Sequence, residues 1–183
     1  MTNWDGDEYQ KRFDDLAASG VDVYGEVDFV MRYAPATVLD AGCGSGRVAI
    51  ELARRCVDVV GADVNPSMIA TARERAPDLD WVESDLTALD LGRTFDIVVM
   101  AGNVPLFTPE GTHAALVDGC ARHVRGAGGL LIAGFSLGQG YGLRDYDAHA
   151  SATGLELVDR FATWDNEPFP GDGTYAVSVH RRM

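Results

Sequence analysis

A carboxylate, three glycines at alternate positions and three further polar residues recur through the first 103 positions: Asp40, Gly42, Gly44, Gly46, Asp63, Asp85 and Asn103. Glycines so spaced let main-chain N–H groups come close to a ligand, because no Cβ stands in the way. A carboxylate about twenty residues further on, Asp63, offers two oxygens to the two hydroxyls of a ribose. Asp85, in Glu83-Ser84-Asp85-Leu86, can accept from the exocyclic amine of a base while Leu86 packs on its ring. Together these residues could hold a nucleotide-like ligand against main chain.

Such residues must sit at the ends of strands. Thr37–Asp40 is a short apolar run that ends in the carboxylate, and Val48, Ala49, Leu52, Ala53 and Cys56 follow at helical spacing, so strand, tight turn and helix (about 46–55) are predicted in that order. The pattern repeats. Val57–Asp63 is a near-continuous apolar run, followed by Asn65 as a helix cap with Pro66 in the first turn and Met68, Ile69 and Ala72 facing inward. Asp80–Ser84 is a third strand, Phe95–Met100 a fourth and Gly128–Phe135 a fifth. A helix starting at Thr108-Pro109 separates the last two, and a short helix is expected near 143–152. Ahead of the glycine turn, residues 5–19 and about 23–33 carry helical periodicity, the first with Tyr9, Phe13, Leu16 and Ala17.

Strand–helix alternation implies a doubly wound, Rossmann-like α/β sheet with helices on both faces. The chain ends differently. Leu155–Thr163 and Thr174–His180 are separated by about ten residues rich in Pro, Gly and Asp. A parallel crossover needs a dozen or more, so this pair must be an antiparallel hairpin. The predicted organisation is one domain over 1–183, with a helical lid at 1–35 and the α/β core at 36–183.

Composition limits the partners. Net charge is −13, and Lys11 is the only lysine. A phosphate-binding surface would need a basic face, so nucleic acid is not expected as a partner. The three cysteines have no metal-type spacing and fit reduced thiols, and neither a signal segment nor an apolar run of membrane-spanning length is present. A cytoplasmic protein with no membrane partner and no metal is the expectation.

Two ligand classes compete for the glycine turn. A dinucleotide site has G-x-G-x-x-G, but Arg47 stands where the third glycine would fall, and the spacing here is G-x-G-x-G. Asp40 also lies where a pyrophosphate would sit and would repel it. S-adenosylmethionine has no phosphate; it has a sulfonium and an ammonium, which a carboxylate favours. Asp40 therefore selects the methyl donor.

The sequence resembles the class I S-adenosylmethionine-dependent methyltransferases of small single-domain type. The residues that carry the likeness are Val38–Gly46, Val60–Met68, Ser84-Asp85-Leu86, Phe95–Asn103 and Arg122–Phe135. The resemblance implies a mostly parallel seven-stranded sheet ending in a reversed hairpin. It implies Asp40 and the glycines on the methionine part of the cofactor, Asp63 on the ribose, Val64 and Met68 beside the adenine, and Asp85 with Leu86 at the adenine edge. The full candidate cofactor set is Asp40, Ala41, Gly42, Gly44, Gly46, Arg47, Asp63, Val64, Met68, Ser84, Asp85, Leu86, Ala101 and Asn103, with Tyr9 and Phe13 from the lid. A cofactor-binding module without activity, or an NAD(P)-dependent oxidoreductase, is the alternative.

The acceptor is less legible. No pattern identifies a general base. His113, His123, His149 and His180 fit ordinary surface or helix-end histidines, His123 through complementarity with a helix C-terminus. Gly102-Asn103-Val104-Pro105 is not the N/D-P-P-aromatic pattern that resembles enzymes acting on nucleobase or amide nitrogens. A small acceptor is expected, recognised by residues 1–35, 102–112 and 136–150, where Tyr141, Tyr146 and Asp147 lie. The acidic balance favours a cationic amine.

Overall fold

The computed structural model describes Gly6, Lys11, Asp15 and residues 23–183. Tyr9, Phe13 and nearly all of the helix expected over 5–19 lie outside the described residues. The remaining chain forms seven strands in the order β3-β2-β1-β4-β5-β7-β6.

β1 (Thr37–Ala41) is central, parallel to β2 (Asp58–Asp63) on one side and to β4 (Ile97–Met100) on the other. β3 (Asp80–Glu83) extends the first side and β5 (Leu130–Ser136) the second, both in parallel. β7 (Tyr175–Arg182) is antiparallel to β5 and to the edge strand β6 (Leu155–Phe161). The expected hairpin is therefore present, although its strands stop at Phe161 and resume at Tyr175, leaving a longer connection than the roughly ten residues read from the sequence. Strand order reverses between β1 and β4, and in open α/β sheets the crevice beyond such strand ends receives ligands.

Side chains alternate between the two faces as strand geometry requires. Val38, Ile97, Val99, Ile132, Val177 and Val179 join one core layer with α1 (Gly25–Met31), α2 (Arg47–Arg54) and α3 (Pro66–Arg75). Leu39, Val98, Met100, Leu131, Ala133 and Phe135 join the other, under the 3₁₀ turn Leu86–Ala88, α5 (His113–Ala121) and α6 (Leu143–Ala152). No helix among the described residues is long and apolar enough to cross a membrane.

One boundary differs from expectation. A single turn, α4 (Val104–Phe107), follows Asn103, and α5 starts at His113, not at Thr108-Pro109. Thr108 is extended, as a residue before proline is steered to be, and Gly111 has φ 83°. Helix cannot propagate through either.

His123 sits just past the end of α5, as its position suggested, but it is not a surface residue. It is buried, its Nε2 accepts from the Leu91 N–H at 3.0 Å, and its Nδ1 lies 2.8 Å from the Gly119 carbonyl. That pair of partners fits only the neutral ring with its proton on Nδ1. His123→Leu leaves the Leu91 amide without its acceptor, so a loss of about 1 kcal/mol is expected, read as a lower urea midpoint with an unchanged slope.

Candidate functional site

The candidate residues on the described chain converge on one edge of the sheet, at the carboxyl ends of β1 to β4. The glycine turn begins as a continuation of sheet pairing, since the Gly42 and Cys43 N–H groups both donate to the Ala62 carbonyl at 2.8 and 3.0 Å. Gly42, Gly44 and Gly46 then take φ of 82°, 54° and 84°, the left-handed region that side chains disfavour. A Cβ on Gly42 would lie 2.5 Å from Val104 Cγ2, so α4 closes directly over the turn. Gly46 is the N-cap of α2.

Asp63 pins this turn from the neighbouring strand. Its Oδ2 accepts from the Gly44 N–H and its Oδ1 from the Asn65 N–H, both at 2.9 Å. Each carboxylate oxygen has a second acceptor site, so the side chain can organise the turn and still receive hydroxyl donors. Val64 beside it is 58% exposed, an apolar side chain turned to the open side. Asn65 caps α3 through Ser67 N–H at 2.9 Å, and Met68 is buried at that helix's start. The Ser84 N–H donates to the Asp63 carbonyl at 3.0 Å, which aligns the tips of β2 and β3. Asp85 Oδ1 accepts from Thr87 N–H at 2.9 Å and thereby caps the turn that buries Leu86.

Asp40 is placed differently from a residue facing an open crevice. It is 1% exposed, and its Oδ2 accepts from the Ala49 N–H in the first turn of α2 at 3.1 Å. Burial pushes its carboxyl up to about 7, against the pull of the nearby Arg47 and the Ala49 amide. Arg47 in turn is committed to α1. Its guanidinium makes a two-pronged pair with Glu26, at 2.6 and 3.0 Å, and also donates to the Val23 carbonyl. The glycine turn is thus tied to the segment before β1.

At the tip of β4, Ala101 is buried and Asn103 has φ 69°. Asn103 Oδ1 accepts from Ser136 N–H at 2.7 Å and its own N–H donates to the Gly134 carbonyl at 3.2 Å, which locks the β4 and β5 tips together. Phe107 of α4 is 65% exposed beside this junction in sequence.

The residues expected near the acceptor divide. Tyr141 is buried, its hydroxyl 2.9 Å from His149 Nδ1 and its ring stacked on His113 at 4.1 Å. Tyr146 does not reach the surface: it is fully buried, edge-on to Phe135 and His180, because the α6 position it occupies turns toward the sheet. Asp147 pairs with Arg160 at 2.6 Å and with the buried His180 at 3.1 Å, and burial holds His180 below the usual histidine range. His180 is therefore a core residue, not a surface one. Cys43 and Cys120 are buried with thiols pushed up by burial, Cys120 to about 12, and are unreactive at neutral pH. Sequence reasoning missed the 162–175 segment. Trp164 and Tyr175 come over β5 at Gly134, and only the hairpin topology brings them there.

A family model described as a methyltransferase domain matches residues 38–128, the glycine turn through the start of the β5 region. The crystal structure of a TehB-like S-adenosylmethionine-dependent methyltransferase from Corynebacterium glutamicum superposes with a TM-score of 0.90 at 36% identity, covering 97% of this chain and 98% of that one. The chain belongs to the S-adenosylmethionine-dependent methyltransferases. Its seven-stranded sheet with the reversed β5-β7-β6 end is the fold of these methyltransferase neighbours. Among curated methyltransferases, trans-aconitate 2-methyltransferase from Azoarcus sp. is 32% identical over 134 residues, 72% of this chain and 51% of the relative. A cypemycin N-terminal methyltransferase from Streptomyces sp. is 35% identical over 99 residues, 52% and 40% of the two chains. The chain spans about half the length of the first of these methyltransferases, or less.

Proposed function

We propose that this methyltransferase chain moves a methyl group from S-adenosylmethionine to a small-molecule acceptor by in-line displacement. The observation that carries the reading is the Asp63 carboxylate, which holds the Gly44 and Asn65 amides and keeps acceptor sites for a ribose beside the exposed Val64. In the proposed site Asp63 takes the ribose hydroxyls, Val64, Met68 and Leu86 flank the adenine, and Ser84 with Asp85 borders it. Asp40, Ala41 and the three glycines shape the methionine end, near Ala101 and Asn103. Arg47, engaged by Glu26, acts there through the turn it follows and not as a free cation.

The cofactor supplies a methyl carbon already activated by sulfonium charge; the acceptor's lone pair forms the new bond as the C–S pair returns to sulfur. What the chain must do is align the partners and keep the site dry. The relatives named above act on trans-aconitate and on the cypemycin N-terminus, which supports acceptors far smaller than nucleic acid. The −13 net charge supports the same exclusion. The free cysteines support a reducing, cytoplasmic setting. An NAD(P)-dependent activity and a non-catalytic module are not favoured by the relatives.

Calorimetry with S-adenosylhomocysteine and with NAD tests the donor: binding of the first in the micromolar range or tighter, and not of the second, is expected. A labelled-methyl transfer screen across amines, thiols, phenols and carboxylates then tests turnover. Binding of NAD alone would overturn the reading.

A further inference from the structure

Tyr175 and Trp164 form a hydrogen-bonded pair at the ligand edge of the sheet. Tyr175 opens β7 and, because β7 is antiparallel, pairs with Ser136, the last residue of β5. The Trp164 indole N–H donates to the Tyr175 hydroxyl oxygen at 3.0 Å. Both rings sit over the main chain of Gly134, where a Cβ would lie 2.6 Å from the Tyr175 oxygen and collide with the Trp164 ring. Gly134 is also the residue whose carbonyl receives the Asn103 N–H, so the pair stands beside the β4–β5 junction. Adjacent strands are spaced about 4.8 Å apart, which puts this point on the order of 10 Å from the glycine turn, two strands along the same edge.

The pair is built, not incidental. Phe29 of α1 meets the Trp164 ring edge-on at 5.3 Å, and Gly25 approaches Trp164 Cβ, which fixes the indole from the other side. Trp164 can only donate, so the Tyr175 oxygen is the acceptor in their bond. The hydroxyl's own hydrogen has no acceptor among the described residues, and the residue is half-buried. Burial pushes this phenol up to about 12, against the Trp164 bond that lowers it, so at neutral pH it carries a proton to donate.

We infer that Tyr175 is the acceptor-binding residue of the transferase, and that it grips an oxygen on the acceptor molecule (hydroxyl, carbonyl or carboxylate) beside the nucleophile. Trp164 is a positioning residue that aims it. The inference rests on the methyltransferase reading and adds the acceptor class, namely oxygen-bearing small molecules in place of simple amines.

The test measures kcat and KM for wild type, Tyr175→Phe, Trp164→Phe and the double variant on a panel of carboxylic acids, hydroxylated amines and phenols. Cyclohexylamine serves as an oxygen-free control, and S-adenosylhomocysteine affinity and melting temperature are followed in parallel. Turnover is expected on oxygen-bearing probes, with kcat/KM falling about tenfold in Tyr175→Phe, mostly through KM, as loss of one hydrogen bond predicts. S-adenosylhomocysteine affinity stays within twofold of wild type. Trp164→Phe shifts KM in the same direction by less, and adds nothing on top of Tyr175→Phe, an additivity failure that a merely structural role would not produce. Tyr175→Phe with wild-type kcat/KM overturns the inference. So does cyclohexylamine as the best substrate, or no turnover of any probe by protein that binds S-adenosylhomocysteine. Wild-type protein that fails to bind S-adenosylhomocysteine overturns the donor reading first, and this inference with it.

Discussion

Asp63→Ala is expected to weaken S-adenosylhomocysteine binding by two orders of magnitude or more. The side chain acts twice. It satisfies the Gly44 and Asn65 amides at 2.9 Å, so its removal frees the glycine turn and orphans two donors. It also removes the acceptor proposed for both ribose hydroxyls. A charge-assisted hydrogen bond contributes about 1.5 to 3 kcal/mol, and 1.4 kcal/mol is tenfold in affinity, so two such bonds account for the size of the loss. Asp63→Asn separates the roles, since it keeps one acceptor oxygen but no charge; an intermediate loss is expected. Titration calorimetry reads both. Binding by Asp63→Ala within threefold of wild type would remove Asp63 from the site.

The second large effect is a pH dependence of stability that originates at Asp40. Its carboxyl is raised from 3.8 to about 7 by burial, so the folded state holds the neutral acid more tightly than the unfolded chain does. The unfolded chain releases its proton near 4, the folded chain only near 7. The stabilisation is therefore complete below pH 4 and disappears as pH rises through 7. Between pH 5 and 8 this one group is expected to lower wild-type stability by about 2 to 3 kcal/mol. Asp40→Asn keeps the shape and the Ala49 amide contact and cannot titrate. Denaturant unfolding at pH 5, 6.5 and 8 should show the gap between variant and wild type shifting toward the variant as pH rises. Parallel pH profiles for the two proteins would rule out Asp40 as the source.

The elements of this fold were legible where local rules and tertiary packing agree. Val38–Gly46 announces strand, turn and helix because apolar strand, positive-φ glycines and helix N-terminus each have their own residue signature. The hairpin was legible from a Pro-, Gly- and Asp-rich connection too short for a crossover helix, although the strands leave 162–174 between them, longer than the sequence suggested. The α5 start was not, because Thr108-Pro109 resembles a helix opening until Gly111 breaks it. The convergence of the strand-tip acids on one sheet edge was legible, because their spacing follows the repeating unit. Long-range partners left no trace. Glu26 meets Arg47 across 21 positions, and the burial of Asp40 under α2 depends on packing that no window of sequence contains. Trp164 and Tyr175 were missed for the same reason: they are neighbours of Gly134 only after β7 inserts between β5 and β6.

That inserted, reversed strand has an evolutionary consequence. In a parallel strand the residue at the carboxyl-end edge of the sheet is the last one, and the candidate acids follow that rule where Asp63 closes β2 and Asp85 comes just after β3. In β7 the residue at that edge is the first, Tyr175, so the loop before the strand lies at the same edge as the ends of the parallel strands. Within the α/β core, the residues proposed for the donor and for the acceptor therefore fall in separate stretches of chain, 40–103 and 164–175. On that proposal, mutation or recombination in the second stretch would retune what is methylated while the methyl source stays the same.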